Sequence, residues 1–244
     1  MNYNSENNNI TDAKVISNSE KTKNLENISY EQELLRKSIH LASLSIPIAY
    51  IFVTKEFALW LLIPITFLTI LIDILGKYDN FVKKYLYFYF EKMLRQHEKN
   101  GELFILNGAS WVLIAALITI IIFPKVIAVI SFMILIISDI SAALIGRRFG
   151  KHKILDKSYE GTSAFIISGI FVVWIMGAIF NADMWFYIAG YIGAFMGGIA
   201  ELVSTRIRLD DNLAIPLAVG TTMSLINMLA WNIFHTSFLN LFMM

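Results

Sequence analysis

VIAVISFMILIISDISAALI, residues 126–145, is a run of twenty residues with one ionisable side chain, Asp139. At the rise of an α-helix such a run is about 30 Å long, the thickness of a bilayer's hydrocarbon core. It is continuous in its apolar character, where a barrel strand would alternate. It therefore predicts a transmembrane helix. Six further runs on either side read the same way: Ser38–Val53, Phe57–Leu75, Phe104–Phe123, Thr162–Phe180, Met184–Val203 and Leu213–Phe234. The first is short, but Arg36 and Lys37 at its start can snorkel to the interface. The predicted fold is all-α, a polytopic integral membrane protein with about seven transmembrane helices. Composition agrees, because 57% of the 244 residues are hydrophobic and 16% charged, too little charge to cover a soluble domain. There is no cysteine, which excludes disulfides and thiolate metal sites.

Lysine and arginine give the orientation. The N-terminal tail and the 76–103, 146–161 and 204–212 loops hold five, six, five and two of them. The alternate flanks hold only Lys55 and Lys125, so the division is 18 against 2. The positive-inside rule then places the N-terminus in the cytoplasm and the C-terminus outside, in a multi-pass protein of the cell (inner) membrane. Residues 1–30 contain eight asparagines and little apolar clustering. They read as a disordered cytoplasmic tail without the apolar stretch of a signal peptide. Residues 31–244 read as a single membrane-embedded catalytic domain. Between Lys77 and Asn100, Tyr78, Phe81, Val82, Tyr85, Tyr89 and Met93 recur at helical spacing among charged residues. That pattern suits an amphipathic helix in the cytoplasmic interface, or a connector packed on the bundle.

The chemistry concentrates in DISAALIGRRFGKHKILDKSYEG, residues 139–161. Asp139 precedes Gly146, the expected helix end, by about 10 Å of helix. An ionisable group at that depth needs a partner or a cavity. Ala142, Ala143 and Gly146 leave room on its face of the helix. The expected loop offers Arg147, Arg148, Lys151, Lys153 and Lys157, with Gly146, Gly150 and Gly161 letting backbone N–H groups approach an anion. Ser158, Glu160, Gly161 and Thr162 open the next helix, whose N-terminus favours phosphate. The spacing is not that of a Walker A loop. Glu201 lies beside Gly197 and Gly198 late in the sixth run, and Asp210, Asp211 and Asn212 open the seventh. Asp73 is expected to pair with Lys77 one turn on.

The motifs D-I-S-A-A-L-I-G-R-R-F-G-K (139–151) and K-S-Y-E-G-T (157–162) resemble the signature of the CTP-dependent lipid kinases, the family of dolichol kinase, phytol kinase and the yeast-type diacylglycerol kinase. E-L-L-R-K-S-I-H (33–40), Asn107-Gly108-Ala109-Ser110-Trp111, Phe123-Pro124 with Ile127-Ala128, and Asp210-Asp211-Asn212-Leu213 with Pro216 resemble further family motifs in the same order. The resemblance covers roughly residues 31–230. It implies a phosphotransferase that moves a phosphoryl group from CTP to the hydroxyl of a membrane lipid alcohol, with magnesium as cofactor. Implied roles are catalysis by Asp139 and Asp211 and magnesium binding by Asp139, Glu201, Asp210 and Asp211. Gly146, Arg147, Arg148, Gly150, Lys151, Lys157, Ser158, Glu160 and Gly161 would bind the nucleotide. Arg36, Lys37, His40 and Asn212 would lie on the substrate side. The implied partners are CTP, a lipid alcohol and the bilayer, with no nucleic acid.

The related phosphatidate cytidylyltransferases share the D-x6-G-R-x-F-G-K pattern but end in P-G-H-G-G and D-R-x-D, which this chain lacks. A small transporter or scaffold is the non-enzyme alternative, and no internal repeat supports it. Diacylglycerol, polyprenols and phytol all present one hydroxyl on an apolar body, so no linear motif separates them.

Overall fold

The structure, a computed structural model, describes residues 37, 38, 40–78, 106–207 and 209–242, with Lys77 and Tyr78 by backbone alone. Arg36, the tail 1–30 and the interfacial segment after Tyr78 lie outside the described residues. Seven helices follow in order among those described: α1 (Ser45–Phe52), α2 (Lys55–Tyr78), α3 (Gly108–Ile122), α4 (Lys125–Phe149), α5 (Tyr159–Ile179), α6 (Met184–Ile207) and α7 (Asp211–Phe234). The chain is nearly all-α. A hairpin of two short strands, β1 (Lys153–Ile154) and β2 (Lys157–Ser158), joins α4 to α5. Five helices, α2 and α4 to α7, are long and apolar enough to cross a membrane. Two shorter apolar helices, His40–Phe52 and Gly108–Ile122, fall on the first and third expected spans.

Short polar side chains start these helices by taking up free backbone N–H groups. Asn107 accepts from Ser110 at the start of α3, Ser158 from Gly161 at α5, and Asp210 from Asn212 at α7. α4 runs through the middle and touches α1, α3, α5, α6 and α7. Every residue from Val126 to Ile136 is buried, which explains a stretch apolar on all sides. α2 packs on α3 at the periphery and keeps most of its apolar surface exposed. The two lysines of the sparsely charged flanks serve packing: Lys55 donates to the Ile121 carbonyl at 2.8 Å, and Lys125 lies 5.7 Å from the Tyr50 ring centre.

Antiparallel registers fix depth in the bundle. An added Cβ on Gly146 would meet Ser158 Oγ at 3.0 Å and the Gly161 Cα at 3.4 Å, so α4 and α5 cross with their backbones nearly touching. On the α5–α6 side, Cβ atoms on Gly197 and Gly198 would meet Phe165 and Ile166. At the end of the bundle away from Asp211, the segment after α7 folds back. His235 takes a left-handed conformation at the helix terminus, and Asn227 Oδ1 accepts from Ser237 Oγ and the Phe238 N–H. Phe238 and Phe242 are thereby buried against Phe186 and Phe180.

Three details go beyond the sequence reading. α4 continues past Gly146 to Phe149, so Arg147 and Arg148 stand on its last turn, where cations complement the helix dipole. The glycines are close-packing positions, and two of their N–H groups are already used: Gly150 donates to the Gly146 carbonyl and Gly161 to Ser158 Oγ. Asp73 accepts from the Asn107 backbone N–H at 3.0 Å and from the Asn107 amide, a tie between α2 and the start of α3; the Lys77 side chain lies outside what is described.

Candidate active site

Three helices, the segment before α1 and the hairpin bring carboxylates and lysines together at one end of the bundle. Lys37, only 7% exposed, forms an ion pair with Asp139 of α4. His40, one turn further along the same segment, places Nε2 3.6 Å from Asp139 Oδ2. The second group centres on Lys157 of β2. Its ammonium lies 2.6 Å from Glu201 Oε1 of α6 and 3.0 Å from Asp211 Oδ2 in the first turn of α7. Ser204, one turn after Glu201, donates to the other oxygen of Asp211.

The hairpin explains how Lys157 arrives there. Ile154 pairs with Lys157 and Lys153 with Ser158, across a turn in which Leu155 has φ 55°, a conformation few leucines adopt. Asp156 accepts from Thr205 Oγ1 at 3.3 Å and ties the turn to the end of α6. Burial draws the Lys157 ammonium downward, but Asp211 and Glu201 outweigh it and hold its pKa above the ordinary lysine value. A raised lysine pKa contributes stability in full below the unfolded-state value and loses it only as pH rises through the folded-state value. The Lys157 charge therefore persists across physiological pH.

Other expected site residues surround this centre. Arg147, Arg148 and Lys151 are exposed at the end of α4 and just beyond it, and the Arg148 guanidinium lies 5.4 Å from the Phe149 ring centre. Glu160 accepts from the His152 backbone N–H at 3.2 Å and sits 2.8 Å from His152 Nδ1, closing the base of the hairpin. Asp210 is the cap of α7 and also accepts from the Asn212 amide at 2.7 Å, so these two residues shape the helix start beside Asp211. Sequence reasoning missed Ser204 as a partner of Asp211. The signal was the i, i+3 spacing from Glu201, which puts both on one helix face.

Among the described residues, no three His, Asp or Glu side chains converge as a metal cage. Magnesium does not require one, since it keeps waters and phosphate oxygens and takes one or two carboxylates.

The chain is 33% identical over 193 residues to the uncharacterized protein RP860 of Rickettsia prowazekii, covering 78% of this chain and 92% of that protein. It is 31% identical over 150 residues to the CTP-dependent diacylglycerol kinase 1 of Schizosaccharomyces pombe, covering 55% of this chain and 65% of that protein, just under two thirds of its length. No family model matches the chain, and no solved structure matches it.

Proposed function

We propose that this chain, which belongs to one family with the Rickettsia prowazekii protein, is a CTP-dependent lipid kinase. It transfers the γ-phosphoryl group of CTP to the hydroxyl of a membrane lipid alcohol, either diacylglycerol or a polyprenol- or phytol-type isoprenoid. The similarity to a protein named a CTP-dependent diacylglycerol kinase carries the reading and favours diacylglycerol. The charged cluster supports it, because phosphoryl transfer asks mainly for positioning and charge neutralisation. Arg147, Arg148 and Lys151 hold the triphosphate, and Lys157 reaches it from the hairpin. Asp139 and Asp211 would hold magnesium, which would supply charge neutralisation for the transferred group. Lys37 and His40 keep the Asp139 carboxylate in place from the substrate side.

All seven helices lie in the cell membrane in this reading, with the charged end facing the cytoplasm, where CTP is dissolved. The natural chain has no cysteine, so single-cysteine variants report topology cleanly. Asn181→Cys, at an exposed position between α5 and α6, is expected to label from outside intact cells with an impermeant maleimide. Lys153→Cys, exposed on the hairpin, is expected to label only after permeabilisation. The reverse pattern removes the cytoplasmic site.

The transferred group is tested with labelled CTP. γ-Labelled CTP, diacylglycerol and the purified protein should give labelled lipid and release CDP. Label appearing in lipid from α-labelled CTP, with pyrophosphate released and phosphatidate as acceptor, would assign a cytidylyltransferase instead.

A further inference from the structure

Three carboxylates belong to the two ion-paired groups, and their oxygens are unequally occupied. Asp211 uses one oxygen for Ser204 and the other for Lys157. Asp139 is covered by Lys37 and His40. Glu201 gives Oε1 to Lys157, but its Oε2 has no hydrogen-bond partner among the described residues, in a residue only 3% exposed. A buried carboxylate oxygen with no donor is costly, and natural proteins keep few of them.

A second orphan faces it. Thr162 of α5 is 8% exposed and its hydroxyl also lacks a partner. Phe165 and Ile166 of α5 oppose Gly197 and Gly198 of α6. Thr162 lies three and four residues before that pair, and Glu201 lies four and three residues after the glycines. In antiparallel helices those steps lead to the same depth and the same facing sides. By this register the two groups stand at one depth on the facing sides of α5 and α6, Glu201 against Lys157, and neither has a hydrogen-bond partner for that oxygen among the described residues.

We propose that Glu201 Oε2 and Thr162 Oγ1 hold the hydroxyl of the acceptor alcohol. A hydroxyl is both donor and acceptor. Its O–H donates to Glu201, and its oxygen accepts from Thr162, which satisfies both orphans with one atom. A phosphate monoester brings acceptors and negative charge to Glu201 and is rejected. An ether in place of the hydroxyl leaves Glu201 without its donor. The pair thus selects a free alcohol at the point where the site meets the lipid. This assignment rests on the kinase reading and adds to it the residues that recognise the acceptor.

The test measures acceptor binding without nucleotide, so that it stands apart from turnover. In detergent, dioctanoylglycerol should raise the unfolding temperature of the natural protein, and its O-methyl ether should do so only at about ten- to hundredfold higher concentration, as expected for one charge-assisted hydrogen bond. Glu201→Ala should erase the difference between alcohol and ether. Thr162→Val keeps the side-chain shape and should narrow that difference, so it serves if Glu201→Ala does not fold. Persistence of the full alcohol preference in the variants overturns the proposal, as does equal binding of alcohol and ether by the natural protein, the result a bound water in the gap would give. Failure of the kinase reading appears separately, as absence of labelled lipid from γ-labelled CTP in a protein that still prefers the alcohol.

Discussion

Replacing Lys157 with methionine is expected to lower turnover at least about a hundredfold and to destabilise the protein. The side chain neutralises Glu201 and Asp211 together, and both carboxylates lose that cation at once. Removing one partner of a buried ion pair costs about 3–5 kcal/mol, and the 25% exposure of the lysine side chain places this case toward the low end. Thermal unfolding in detergent reads the stability, and labelled lipid reads the turnover. Adding Glu201→Gln to Lys157→Met removes one of the two stranded charges and is expected to recover much of the stability without recovering activity. A single variant that unfolds at the natural temperature would show that Lys157 is not the ionic link of the site.

Asp139→Asn is expected to lower turnover by about a hundred- to a thousandfold, in the range seen when a charge-stabilising group is removed from an active site. The amide keeps the shape of the carboxylate, so the span still packs and the protein still reaches the membrane. Two functions are lost: the counter-charge for the buried Lys37 and one carboxylate proposed for magnesium. The remaining activity should need more magnesium, which a titration of the metal at fixed CTP detects. Turnover within threefold of the natural protein would move Asp139 out of the site.

Asp139 was legible from sequence because a charge within an apolar run is costly wherever it lies. Its partner was not identified, since Lys37 is 102 residues away and the two meet through packing of the α1 segment on α4. Depth could be read for Glu201, Asp211 and Lys157 from their places at span ends. Azimuth could not, because the helices of Glu201 and Asp211 are apolar around much of their circumference and show no strong face, and Lys157 stands on the hairpin. The glycines at 146, 150 and 161 looked like freedom for an anion cradle. Gly146 and Gly161 also bring the backbones of α4 and α5 close together, and sequence does not distinguish those uses. The hairpin was missed because Ile154 and Leu155 carry no turn signature, Leu155 standing at a left-handed position where glycine or asparagine is usual.

The folded segment after α7 bears on the electrical behaviour of the membrane. A bilayer at 100 mV drives each elementary charge across it with about 2.3 kcal/mol. A bundle with lysines and carboxylates gathered at one end becomes a conductor if water threads from that end to the other. Phe238 and Phe242, held in place through Asn227, close the opposite end with aromatic rings that offer ions nothing to replace their hydration. On the kinase reading, the same few residues would let an energised membrane hold this charged cluster and remain an insulator.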